Sequence, residues 1–311
     1  MRITRMLAAV ALCSVLVAAC TGAASPSPLP APSVALSPEP SVAPSPSPSP
    51  SPDACAKENL TTMPAGKLTI GADNPAYPPY FEIPTAATAP WELGDPTTGQ
   101  GFESAVAYAV AEKMGFSKAE VTWVPVPFNN AIQPGPKDFD VYLTQVSYSA
   151  ERAQAVDLSD GYFDLNQSVV ALKSNPIAQV TTVAGLKDFK LGAPVGTTSY
   201  DYIVRNIQPS KDPAVYDTLD AAVSALNAKQ IDGIVADLPT AFFMVAVQIT
   251  DGTIVGVLPT VGEVEHFSIL LTKGSPLTPC VNRAIAAIKD DGTLARTTVE
   301  WITSKGAPEL K

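Results

Sequence analysis

The stretch Asp140–Phe163, DVYLTQVSYSAERAQAVDLSDGYF, decides how this chain is read. It opens as an apolar strand, Val141-Tyr142-Leu143, and continues with Gln145, Ser147 and Ser149 at alternate positions. Alternate side chains of an extended segment face one way, so these three polar groups are expected on one face. Arg152 stands just beyond them, and a guanidinium grips a carboxylate through two parallel N–H···O bonds. An Asp157-Leu158-Ser159-Asp160 turn and the aromatic pair Tyr162-Phe163 close the stretch. The combination points to a site for a small anionic group.

The same residues resemble the signature of the bacterial extracellular solute-binding proteins of family 3, which serve polar amino acid ABC importers. That signature is close to D-x-I-x-x-x-x-T-I-T-x-E-R-x-x-x-V-D-F-S-x-P-Y. Ser147 and Ser149 stand at its threonines, Arg152 at its arginine and Asp157-Leu158-Ser159 at its Asp-Phe-Ser, without a gap. A motif is a hypothesis until its structural context is seen.

Outward from this stretch, the ends of the chain read differently from its middle. Arg2 and Arg5 precede an apolar run, Met6–Ala19, too short for a permanent membrane helix and suited to a secretory leader (residues 1–19). Val17-Ala18-Ala19-Cys20 resembles a bacterial lipobox, which implies cleavage before Cys20 and a lipid (palmitate) on its sulfur. Residues 20–52 form a Ser/Pro-rich linker, with proline at 11 of the 27 positions from Pro26 to Pro52. Repeated Ser-Pro favours extended polyproline II, a semi-rigid tether between an anchor at the outer face of the cell membrane and the folded part.

The formal charge is −10, and loss of Arg2 and Arg5 with the leader leaves 18 basic against 30 acidic residues. Such a chain lacks the basic patch a nucleic-acid backbone needs. Cys13 leaves with the leader and Cys20 takes the lipid, so Cys55 and Cys280 remain as an expected disulfide in an oxidising compartment. With one histidine, His266, and no CxxC, no metal site and no cofactor are expected.

Along the folded part, Lys67–Gly71 reads as a first strand, and Asp73, Tyr77, Pro78-Pro79, Tyr80 and Phe81 follow it. Loops at the carboxyl ends of strands are where open α/β sheets bind ligands. Asp73 and Tyr77 fit either a capped turn with a packed ring or, as the resemblance implies, contacts to a ligand side chain. Gly101-Phe102-Glu103 opens a helix with apolar residues at helical spacing. It resembles the family's Gly-Phe-Asp, where the aromatic stacks on ligand, so Phe102 is either a ligand contact or a buried staple. Val121–Val126 and Asp138–Leu143 read as further strands, and residues 84–100 as a long loop in which Trp91 has no assigned role.

Val195-Gly196-Thr197-Thr198-Ser199 resembles the family's Gly-Thr-x-Ser turn, which implies amides at Thr198 holding the ligand carboxylate opposite Arg152. Thr198 or Ser199 also suits a helix N-cap. Residues 230–239, QIDGIVADLP, resemble G-x-V-D-A-V-V-x-D-x-P, whose last aspartate accepts from the α-ammonium; Asp237 takes that role, or caps a helix, and Asp232 is a turn residue. Pro194 and Ala236 stand where glutamine-specific relatives carry lysine and histidine. The Gln145 amide suits a polar side chain, carboxylates included. Arginine, lysine, glutamine, asparagine and glutamate stay open.

The resemblance covers residues 66–303 and implies a type II periplasmic-binding-protein-like α/β fold, two lobes joined by a two-strand hinge. Residues 53–166 plus 263–311 are expected as lobe one and 167–262 as lobe two. The implied function is capture of a free polar L-amino acid by hinge closure and delivery to the permease subunits of an ABC importer, by a monomeric lipoprotein that is not an enzyme. The alternatives are a ligand sensor for a membrane signalling partner, or a dehydratase-like enzyme with Glu103 or Glu263 as an acid or base.

Overall fold

The computed structural model describes residues 53–86, 88–302 and 307–311. The residues expected as leader (1–19), lipidated Cys20 and linker (to residue 52) lie outside the described residues.

The first pass runs β1 (Leu68–Ala72), α1 (Phe102–Lys113), β2 (Val121–Pro125), the single turn α2 (Phe128–Ala131), β3 (Val141–Tyr142), the single turn α3 (Arg152–Ala155) and β4 (Val156–Leu158). β5 (Phe163–Leu165) then leads into a second unit. This contains β6 (Gln167–Leu172), β7 (Leu191–Pro194), α4 (Thr198–Tyr202), β8 (Ala214–Tyr216), α5 (Leu219–Asn227), β9 (Gly233–Asp237), α6 (Leu238–Phe243) and β10 (Gly252–Val257). β11 (Glu265–Phe267) returns, and β12 (Leu270–Thr272), α7 (Thr278–Asp290) and α8 (Thr293–Trp301) complete the first unit.

The pairing gives two five-stranded sheets, β2-β1-β3-β12-β4 and β10-β6-β9-β7-β8. In each, parallel strands carry the βα units and the strand that crosses between lobes pairs antiparallel. The crossovers themselves form an antiparallel ribbon, β5 with β11. This is the two-lobed α/β architecture with a two-strand hinge.

The central strands are buried on both faces, which is why they read as unbroken apolar runs. In lobe two, Val169 and Val235 face one layer with Ile177, Leu191 and Ile203, while Val170 and Ile234 face the other with Leu226 and Met244. This is the period-two alternation of a strand, with both faces apolar. Lobe one is packed with larger rings: Tyr80, Phe81, Phe102 and Trp123 are buried with Val281, Ile285 and Ile288 of α7. Each such aliphatic or aromatic side chain contributes about 1.5–3 kcal/mol relative to an exposed one. Trp91 of the long loop is buried in the same core, so that loop covers lobe one.

Cys55 and Cys280 are bonded, with Cα atoms 5.3 Å apart and a sequence separation of 225. The bond ties the start of the folded part to α7. The C-terminal residues depart from the expected division. Leu310 packs in the lobe-two core, its N–H donates to Val257 O, and Val183 N–H donates to Lys311 O. Residues 308–311 therefore pack on lobe two, because their backbone groups pair with Val257 of β10 and with Thr181 and Val183. The third strand is also shorter than expected, two residues instead of Asp138–Leu143.

Candidate functional site

A cavity of about 160 Å³ lies where the two sheets face each other, room for a small molecule. Of the eight ligand-site residues named from sequence, Asp73, Tyr77, Gln145, Ser147, Arg152, Thr198 and Asp237 line it. Phe102 does not. It is fully buried beneath α1, with its ring 5.2 Å from Phe163 and 6.2 Å from Tyr162. Gly101, at φ +95°, brings the helix start so near the backbone that a Cβ would lie 2.5 Å from Tyr80 O. The Phe102 ring is thereby turned into the core, and its assignment as a ligand contact is corrected to a packing role.

Arg152 lies at the first position of α3, and Ser149 accepts from its N–H at 3.1 Å. Ser149 is thus a cap and not a wall of the cavity, because the extended alternation stops at Gln145, whose φ is +43°. The Arg152 guanidinium stacks 5.3 Å over Phe128 and donates to Ser147 O at 2.6 Å and, across the cleft, to Gly196 O at 2.7 Å. Two of its five N–H donors are used there, which leaves three for an anion. Burial pushes its pKa down, opposed by the charge of Glu265. Gly196 itself needs its glycine: it sits at φ +72° beneath Asn129.

Asp237 ends β9, caps α6 and lines the cavity. Its Oδ1 accepts from Thr240 N–H at 2.9 Å and from Tyr80 O–H of the other lobe at 2.5 Å, and Oδ2 accepts from Thr240 Oγ1 at 2.8 Å. A carboxylate offers about four lone-pair sites, so one on Oδ2 stays open. Burial raises its pKa, and among the described residues no cation lies within ion-pair distance. A partly buried carboxylate without a counterion is costly, and an incoming ammonium would offset that cost.

Asp73 follows β1. Its N–H donates to Thr144 Oγ1 at 2.8 Å, its Oδ1 accepts from Asn74 N–H at 2.8 Å, and burial raises its pKa. Asp73 thus caps its turn and also lines the cavity. The Tyr77 ring packs 6.4 Å from Phe243, and its buried hydroxyl has no hydrogen-bond partner among the described residues. Thr197, not Thr198 or Ser199, caps α4, accepting from Tyr200 N–H at 3.2 Å. The Thr198 hydroxyl donates to Glu265 at 2.5 Å, so its backbone N–H is the group left for a carboxylate. Asp232 is the turn residue expected, accepting from Asn175 and Lys190.

Sequence reasoning missed Glu265 and Gln167, which hold Thr198 from the hinge, and Asp217, which lines the cavity from lobe two. Glu265 lies two residues beyond Glu263, the acid weighed instead, and same-side spacing along the β11 approach was the available signal. Glu103, weighed as a cleft-facing acid, instead sits behind the wall: both its oxygens accept from Gln145, and Tyr162 O–H also donates to it. His266 stacks on Tyr148 at 5.4 Å and is part of the packing.

The signature of the bacterial extracellular solute-binding proteins, family 3, matches residues 83–304, most of the described chain. The chain belongs to that family. Among curated members, the L-cystine-binding protein TcyJ of Escherichia coli is 28% identical over 242 residues, covering 76% of this chain and 82% of that protein. A probable histidine-binding protein of Campylobacter jejuni is 30% identical over 206 residues, 62% of this chain and 72% of that one. Among solved structures of this solute-binding fold, an ancestral arginine-binding protein bound to arginine has a TM-score of 0.60 at 26% identity, covering 76% of this chain and 97% of its own. ArtJ of Geobacillus stearothermophilus, at 17% identity and a TM-score of 0.63, shares the fold.

Proposed function

We propose that this family 3 protein is the extracytoplasmic, lipid-anchored substrate-binding component of an ABC importer. It captures a free polar L-amino acid between its lobes and delivers it to membrane permease subunits. The observation that carries this is the pairing, in one cavity, of the cation Arg152 from lobe one with the counterion-free carboxylate Asp237 from lobe two. A zwitterion fits that pair: its carboxylate meets the guanidinium and the Thr198 N–H, its ammonium meets Asp237 Oδ2, and its side chain points toward Asp73, Tyr77 and Gln145. Because the two charges are supplied by different lobes, the ligand binds the closed arrangement better and shifts the population toward it. The relatives' names support the ligand class, since they include cystine-, histidine- and arginine-binding proteins.

Calorimetry on the protein from residue 53, unfolded and refolded to clear carried-over ligand, tests this against the twenty amino acids. Binding of one or a few at micromolar Kd or tighter is expected. Asp237→Asn is expected to weaken the amino acid at least tenfold while changing the binding of its des-amino analogue by much less. Equal losses for both would remove Asp237 from the ammonium site.

A further inference from the structure

Glu265 stands against the Arg152 end of the cavity without a cation of its own. It opens the return strand β11, is half-buried, and enters no ion pair among the described residues. Neutral donors hold it instead. Thr198 Oγ1 donates to its Oε1 at 2.5 Å, and Gln167 Nε2 lies 3.1 and 2.9 Å from its two oxygens. Gln167 opens β6 and is fixed in turn, its Oε1 accepting from the buried Ser199 hydroxyl at 2.7 Å. Two residues, one on each passage between the lobes, thus grip the first turn of α4.

That turn is also a neighbour of Arg152. The guanidinium donates through Nη2 to Gly196 O at 2.7 Å and through Nη1 to Ser147 O at 2.6 Å, and the Thr198 and Ser147 hydroxyls lie 3.5 Å apart. Arg152, Ser147 and Thr198 line the cavity, whereas Glu265 touches the turn without lining it.

An anion seated between Arg152 and the Thr198 N–H therefore meets a second anion across one residue. A carboxylate only accepts, so Glu265 claims the Thr198 hydroxyl proton and leaves that hydroxyl nothing to donate to a ligand carboxylate. Its charge is cancelled by no cation, and like charges at close quarters in a partly buried site oppose each other. Glu265 also exerts the largest charge effect on Arg152. Those of Asp201 and Glu151 are smaller, and both of these residues stand by Arg205, at 3.7 and 3.6 Å.

We propose that Glu265 tempers the anion seat. It is a positioning residue that claims the Thr198 proton and sets a negative charge against the seat, so a carboxylate is held less tightly and leaves sooner than Arg152 and Thr198 alone would allow. This rests on the amino-acid reading and adds to it a built-in means of release, which suits a protein that hands its ligand on.

The test compares each amino acid with its own α-amide, which keeps the ammonium and lacks the carboxylate. Calorimetry at about pH 6, where the α-amino group of both stays protonated, takes the refolded parent through the twenty amino acids and then through the α-amide of each that binds. Glu265→Gln keeps the side chain's shape and an acceptor for Thr198 and removes the charge. It is expected to tighten the amino acid by about threefold or more, to change the α-amide by much less, and to slow release of the amino acid in stopped-flow by a matching factor. Glu265→Ala, which removes charge and acceptor together, is expected to raise the acid-to-amide ratio in the same direction and gives the answer if Glu265→Gln does not fold. A brace without an electrostatic role would weaken acid and amide alike. That result, or an unchanged or lower ratio in a folded variant, would overturn the proposal and leave the Arg152–Asp237 reading standing. Silence of the parent with all twenty amino acids would remove both.

Discussion

Lobe one meets the cavity with side chains propped from behind, whereas lobe two meets it with strand ends at which helices begin. On the first side, Gln145 leans on buried Glu103, and Arg152 on the Phe128 ring and the Ser147 carbonyl. On the second, Asp237 and Thr198 stand at the starts of α6 and α4 and are fixed by short-range bonds to Thr240 and by Glu265 of the hinge. The cores differ in the same sense: rings, a buried carboxyl and a disulfide in lobe one, aliphatic layers in lobe two. The difference teaches where each kind of perturbation should act. Loss of a propping partner should be felt through lobe one, and loss of a contact across the cleft through lobe two.

The largest effect is expected at Arg152. Replacing it with alanine removes the one cation among the described residues that line the cavity and should cost about 2–5 kcal/mol of binding free energy for any amino acid, read by calorimetry. Near-normal affinity would mean that the carboxylate anchor is not in lobe one. Next is the Cys55–Cys280 bond. Its replacement by serines should lower stability by about 2–4 kcal/mol in chemical denaturation and leave ligand affinity within a few-fold, since the bond lies in lobe one away from the cavity.

Glu103 gives a pH signature. Burial pushes its carboxyl up to about 7 from an ordinary 4.5, even though Tyr162 and Gln145 donate to it. Between those values the folded protein keeps a proton that the unfolded chain releases. The group's contribution is therefore complete below about pH 4.5 and is lost as pH rises through about 7, a change of roughly 3 kcal/mol. The stability of the parent minus that of Glu103→Gln, followed from pH 4.5 to 8, should fall by that order; a flat difference would show that Glu103 titrates normally. The smallest effect is expected at Tyr80. Tyr80→Phe removes the hydroxyl donated across the cleft to Asp237 and should cost about 1 kcal/mol of stability, with a further rise in the Asp237 pKa seen by NMR titration.

Most of the fold, and the convergence of seven of the eight residues named from sequence on one cavity, were legible because their signals are local. A strand ending in a polar or glycine-rich turn puts Asp73, Thr198 and Asp237 at the carboxyl edges of sheets wherever the chain goes. What was not legible depends on partners far away in sequence. Glu103 and Gln145 are 42 residues apart, Tyr80 and Asp237 157, and Gln167 and Glu265 98. Phe102 was ambiguous for the same reason: a large ring at a helix start serves a ligand or a core equally well, and only the close approach of Gly101 to Tyr80 decides it. The C-terminal residues carry little pattern, so nothing in Pro308–Lys311 announces the sheet they join.

That last contact sets a leash. α8 ends at Trp301 in lobe one, and Pro308 O accepts from Val257 N–H in lobe two. Six residue steps separate Ile302 from Pro308, and an extended chain covers at most about 3.6 Å per step. However far the β5–β11 ribbon bends, that edge of the cleft cannot spread beyond about 20 Å without stripping Leu310 from its pocket. Any hinge motion of the lobes is thereby held within a fixed radius.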